Sequence, residues 1–215
     1  MADDPPTPID LDRVVGWPPD GHSVGSVAHV HAFGQIALTA AMLEETLILL
    51  LIQRLPMPEN ISGPLVHKLN NRERSDWYKG LVDAQETDRE ILERLGSAVL
   101  AFDICMDNRN TLVHALYEGT DVATAIMKLS KRARNDPLRE VKMQLPLSEL
   151  RNIAEEMGTT LNFMLDMFKV NRWRKWAERQ TPMPPQPEPF PEIPPRPNRL
   201  TMSPPQANAG GEGQS

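Results

Sequence analysis

Apolar residues recur at steps of three and four over three long stretches of this chain, and at steps of two over one shorter stretch. Across residues 23–55, Phe33, Ile36, Ala40, Leu43, Leu47, Leu50 and Leu51 make one wide apolar face, and Pro56 and Pro58 end it. Ile91, Leu95, Ala98, Phe102, Cys105, Leu112 and Leu116 repeat the pattern over 87–118, with Gly119 as a left-handed stop. Leu150, Ile153, Met157, Leu161, Met164, Leu165 and Phe168 repeat it over 149–178. Shorter helices are expected at 64–71, where Pro64 suits a first turn, and at 76–84, around Trp77, Tyr78, Leu81 and Val82. Between the last two long helices the period changes. Val122, Thr124, Ile126 and Lys128, then Val141, Met143 and Leu145, alternate as strands do, with Asn135-Asp136-Pro137 as the turn. These patterns predict a mainly α protein, an antiparallel four- to five-helix bundle with a small β-hairpin insertion.

Composition bounds this picture. A chain of 215 residues suits one domain with tails. Residues 1–21 read as an irregular N-terminal segment, 22–179 as the bundle, and 180–215 as a disordered Pro-rich tail. That tail carries 11 prolines in the 34 residues from Pro182 onward, and little in it can offset chain entropy by burial. Its Pro-x-x-Pro steps would also suit a polyproline II ligand for another protein. A lone cysteine, Cys105, excludes an internal disulfide and fits a reducing, cytoplasmic setting. The longest apolar run, 47–52, is too short to span a bilayer, so no membrane association is expected. A net charge of -6 argues against indiscriminate nucleic-acid binding but leaves room for a local basic groove.

One residue breaks the stripe of the third long pattern. Arg109 stands in phase with it, where an apolar residue was due, and a charge facing a core is costly unless paired or used. Asn110 follows it directly and His114 stands five residues on. A guanidinium fork holds anions through charge-assisted hydrogen bonds, and an imidazole titrates near neutrality and can move a proton. Asn110 stands one helical turn before His114. Five residues turn about 140° around a helix, so Arg109 and His114 do not share a face.

The segment DNRNTLVHALYE resembles the signature of the HEPN superfamily, an Arg-polar-x-x-x-His motif near the end of a helix in a four- or five-helix bundle. The resemblance implies a homodimer whose protomers bring Arg109 and His114 into one shared cleft. It also implies metal-independent endoribonuclease activity, as in toxin–antitoxin pairs, abortive-infection systems and antiviral effectors, with an antitoxin or other protein as a further partner. In that chemistry the RNA 2′-hydroxyl is the nucleophile, His114 would move the proton, Arg109 would hold the phosphate oxygens, and Asn110 would orient the His114 ring or bind phosphate. Some members carry a Tyr two residues after the His. Here that position is Leu116, and Tyr117 stands one further on. A first-helix Glu recurs in related bundles. Glu44 and Glu45 are the candidates, with Glu44 preferred as the partner of Arg109 or His114. The alternative is structural: Arg109 partnered by Glu44 or Asp107, and His114 a cation suited to a helix C-terminus.

Two basic stretches bear on RNA. The predicted hairpin carries Lys128, Lys131, Arg132, Arg134, Arg139 and Lys142 against Asp136 and Glu140. The end of the last helix carries Lys169, Arg172, Arg174, Lys175 and Arg179 with Trp173 and Trp176 interleaved. Cations beside aromatics suit single-stranded RNA, and the same residues also read as a protected sheet edge and a helix C-terminus. His29 and His31, two apart on a helix, point in different directions, and no cofactor or metal is expected.

Overall fold

The computed structural model describes residues 27–114, 116–121, 124–131, 139–182, 184 and 189–200, with only the backbone described for the sheet before Leu145. The elements are α1 (Val27–Arg54), α2 (Glu59–Val66), α3 (Asn71–Gln85), α4 (Arg89–Val113), β1 (Leu116–Asp121), β2 (Thr124–Lys131), β3 (Arg139–Pro146) and α5 (Leu147–Ala177).

The protein is mainly helical. The four long helices close a ring of contacts, α1 on α3, α3 on α4, α4 on α5 and α5 on α1. Leu43, Leu47, Leu50 and Leu51 of α1, Ile91, Leu95 and Phe102 of α4, and Leu150 and Met164 of α5 are fully buried between them. The arrangement is not uniformly antiparallel as expected. Asn71 reaches Glu44 while Gln85 reaches Arg54, so α3 runs with α1. Ala28 and His31 flank one groove with Arg151, and Gln53 flanks another with Arg172, so α5 also runs with α1. Cys105 meets Thr160 while Glu86, just before α4, meets Arg174, so α4 runs against α5. The short α2 carries the chain back between α1 and α3, which lets these two lie parallel.

Several boundaries differ from the sequence reading. The second helix begins after Pro58 rather than at Pro64, which sits inside it. The backbone amides of Ile61 and Ser62 bond Pro58 O, and that turn starts the helix early. The third is longer than expected because Asn70 caps it: the Glu73 amide donates to the Asn70 side chain and the Asn70 amide donates to Glu73, a reciprocal capping box. Asp88 caps α4 by a one-way side-chain cap, accepting from the Glu90 and Ile91 amides.

The largest correction lies at the end of α4. It stops at Val113 with His114 as its C-cap, and does not continue to Glu118 and Gly119. Residues from Leu116 onward form β1, paired antiparallel to β2, so the insertion has three strands in the order β1-β2-β3 rather than two. The apolar phase of the helix runs through Leu116, but Tyr117 and Thr120 favour a pleated surface, and pairing with β2 provides the backbone bonds a helix would otherwise supply. The turn expected at 135–137 lies outside the described residues.

α1 is also more apolar than its longest unbroken run suggests. An 18-residue window within Ala28–Arg54 has mean hydropathy 1.8, so the helix is long and apolar enough to cross a membrane by length and composition. Its buried residues form the centre of the bundle core, which accounts for that character.

The expected disordered tail is ordered over 189–200. This stretch is an extended strap along α4 and α5. Phe190 lies under the Arg94 guanidinium, 5.3 Å from ring centre to charge, and Arg94 Nε donates to Pro191 O at 3.0 Å. Ile193, Pro194 and Arg196 line a pocket with Ser97, Leu100, Ala101 and Phe163, and Pro197 is buried. A proline-rich stretch makes few bonds with itself, so burial and helix side chains hold it instead.

Candidate functional site

Arg109 sits at the edge of the bundle, held from two sides. Its Nη2 stands 3.9 Å from Glu44 Oε1 on α1, and its Nη1 donates to the neighbouring Asn110 Oδ1 at 2.9 Å. Glu44 also accepts from Asn71 Nδ2 at 2.8 Å, and Asn71 Oδ1 accepts from Arg74 at 2.9 Å. Arg74 in turn donates to the carbonyls of Val66 and His67 at the end of α2. The α2–α3 junction therefore fixes the carboxylate facing Arg109. The side chains of Arg109 and Glu44 remain 35% and 28% exposed, so the pair is half-solvated rather than sealed.

His114 is exposed. Its backbone N–H still bonds Asn110 O at 3.1 Å, so its side chain keeps the phase of α4. Counting round the helix, Asn110, Thr111 and His114 lie within about 60° of Asp107, while Arg109 lies about 160° from it. Asp107 is not a partner of Arg109. Its Oδ2 pairs with Arg199 Nη1 of the strap at 2.9 Å. Within the chain the expected Arg and His stand on different faces of α4.

The strap ends beside this motif. Asn108, buried, donates through Nδ2 to Asn198 O at 2.8 Å and accepts the Leu200 N–H at 2.9 Å. Asn198 donates to both carboxylate oxygens of Glu156 on α5, at 2.6 and 3.0 Å. Sequence reasoning missed these residues, because Asn108 and Glu156 carry no local signal of a partner some 40 to 90 positions away.

Of the two basic stretches, the first has Lys131 in the backbone of β2, while Arg132 and Arg134 lie outside the described residues. Tyr117 is likewise known only by its backbone, paired with Met127. The α5 stretch lies at the opposite end of the molecule. From Arg109 back to Arg89 is about 30 Å of helix, and the end of α5 meets the chain just before Arg89. The fold of the chain therefore does not bring that stretch to the motif.

There Arg174 is not a surface cation. It donates to Glu86 through Nη1 at 2.9 Å and Nη2 at 3.4 Å. Arg54 Nη2 donates to the same carboxylate at 3.2 Å and to Asn171 Oδ1 at 3.0 Å. The amides of Thr87 and Asp88 donate to Glu86 Oε1. Burial alone would raise the Glu86 carboxyl pKa, but these cations and amides together hold it below its usual range. The Tyr78 hydroxyl, sealed beside Arg54 and Asn171, is pushed up to about 12, chiefly by burial.

Arg172, Lys175 and Trp176 of α5, and Arg179 just beyond it, reach solvent here. They border an open groove of about 510 Å³ with Leu49, Ile52, Gln53, Glu59 and Phe168. Trp176, 51% exposed, occupies the place expected of Trp173, which is half-buried. The Lys175 pKa is lowered by burial first and then by the nearby Arg54 guanidinium.

Among the described residues no group of three His, Cys, Asp or Glu side chains is placed to hold a metal ion. Comparison with models of known protein families, with curated proteins and with solved structures returns no match.

Proposed function

We propose that the protein is a metal-independent endoribonuclease of the HEPN type. It acts on single-stranded RNA as a homodimer, and its biological setting is that of a toxin or phage-defence effector in the cytoplasm. The carrying observation is that Arg109, although in phase with the core stripe, is half-exposed at the bundle edge, five residues from an exposed His114. Neither group is sealed, and a two-fold axis can set the Arg109 of one protomer opposite the His114 of the other. The apolar side chains of Val30, Leu38 and Met42 on α1, and Val113 beside the motif, are exposed, which supports an interface between copies.

In this reading His114 removes the proton from the RNA 2′-hydroxyl. The 2′-oxygen attacks phosphorus, the bond to the 5′-oxygen breaks, and that oxygen leaves with a proton returned by an imidazolium. The products are a 2′,3′-cyclic phosphate and a 5′-hydroxyl. Arg109 stabilises the charge on the non-bridging oxygens, and Glu44 and Asn110 hold its fork in place.

Overexpression of wild type beside His114→Ala, read by RNA integrity and by end-group analysis, tests the proposal. Cleavage by the variant should fall by about 100-fold or more, with an unchanged melting temperature and persistence of wild-type cleavage in EDTA. Cleavage that survives both His114→Ala and Arg109→Ala, or that requires a divalent ion, overturns it. The groove bordered by Arg172, Lys175, Trp176 and Arg179 favours a second reading, a non-catalytic dimer that binds RNA or a protein partner. That reading predicts salt-sensitive binding without cleavage.

A further inference from the structure

The guanidinium that shares a face with His114 is not Arg109. Asp107, Asn110, Thr111 and His114 follow one another at helical spacing on the solvent side of α4, and the group seated on that side is Arg199 from the strap. Its Nη1 is bonded to Asp107 Oδ2 at 2.9 Å, while its side chain is 62% exposed, so much of the fork faces water. Arg109 is occupied by Glu44 and Asn110 and is less accessible. Side chains on a helix lean toward its N-terminus, so the His114 imidazole leans back toward the turn that carries Asn110 and Asp107.

The strap holds Arg199 in this position. On one side of it Asn198 is clasped by Glu156 and Asn108; on the other the Leu200 amide is bonded to Asn108. A single ion pair on a free tail would spend most of its time open in water. Here the backbone on both sides of Arg199 is bonded to helix side chains, so the arginine is presented in one place.

We propose that Arg199 is a phosphate-binding residue of the candidate site, delivered by the C-terminal strap to the His114 face of the same protomer. The ligand class is the phosphodiester backbone of single-stranded RNA, and the assignment to substrate rests on the nuclease reading above. A strand crossing this face would place one phosphate on Arg199 and the next scissile position toward His114. The carboxylate of Asp107 anchors Arg199 and at the same time repels that phosphate.

The test measures binding of a fully 2′-O-methylated RNA oligonucleotide, which cannot be cleaved, by the full-length chain. Arg199→Ala should weaken binding by about five- to tenfold, as loss of one charge-assisted phosphate contact does. The slope of log affinity against log salt should fall by about 0.7. Arg199→Lys should recover part of the affinity. Asp107→Asn, which removes the anchor but keeps the guanidinium, should bind more tightly than wild type. Arg196→Ala, on the same strap, should bind as wild type.

Equal affinity and salt slope for wild type and Arg199→Ala would overturn the proposal, as would Asp107→Asn weakening binding as much as Arg199→Ala, the signature of an anchor alone. The two readings separate cleanly. Binding that depends on Arg199 without RNA cleavage by wild type ends the nuclease reading and keeps the strap site. Cleavage with no dependence of binding on Arg199 does the reverse.

Discussion

The two ends of this molecule hold arginines on glutamates in opposite ways. At the end where α1, α3 and α5 finish, Glu86 is 5% exposed and accepts from Arg54, Arg174 and two backbone amides. Toward the other end, Glu44 faces Arg109 across 3.9 Å with both side chains half-solvated. The first cluster has the bonds that a buried carboxylate needs and little freedom to do anything else. The second is loosely closed and reachable from water, five residues before an exposed imidazole that stands on another face of α4. Charge in a bundle can be structural or available for chemistry, and depth and bonding distinguish the two where residue type does not.

The largest expected effect comes from breaking the sealed cluster. Glu86→Ala leaves the mostly buried Arg54 and the partly buried Arg174 without their shared counter-ion, and stability should fall by about 3 kcal/mol in a urea melt. A smaller loss, or none, would show that water reaches the cluster. The pH dependence sharpens the same contrast. Glu86 is more acidic folded than unfolded, so its contribution is present above about 4.5 and lost as pH falls below that value. Tyr78 is less acidic folded, so its contribution is complete below 10.0 and lost as pH rises toward about 12. Alkaline melts should therefore steepen above pH 10 in wild type and flatten in Tyr78→Phe. The smallest effect belongs to the open pair. Glu44→Gln should change stability by no more than about 1 kcal/mol, because a half-solvated ion pair is screened. A loss as large as that of Glu86→Ala would mean that Arg109 is a structural arginine after all.

Parts of this architecture were legible from residue spacing. α1, α4 and α5 announce themselves because each presents a long apolar face at steps of three and four. α3 was harder to see. It is mostly polar, with Tyr78 and Val82 as its fully buried apolar residues, yet its capping box of Asn70 and Glu73 stood in the sequence as a local signal. The end of α4 was misread for a physical reason: the stripe continues in phase through Leu116, and pairing with a later strand decides where helix gives way to sheet. The Glu86 cluster carried no such signal, since its arginines lie 32 and 88 residues away along the chain. Arg174 looked like one more cation in a basic helix end and is instead committed to Glu86.

The strap makes the same point about composition. A stretch rich in proline reads as disorder because it cannot bond to itself, and that reasoning considers only the chain's own local options. Arg94, Asn108 and Glu156 supply the missing partners from two helices.

What the sequence alone determined was the set of long helices, through the period of their apolar positions, and the short list of side chains able to do phosphodiester chemistry. Both are local properties, readable wherever spacing and residue type suffice. Tertiary structure decided the direction of the helices, which arginines are bound to carboxylates, and that a tail segment lies against the motif. Those outcomes depend on contacts between residues far apart in the chain, whose energies exist only once the backbone has brought them together.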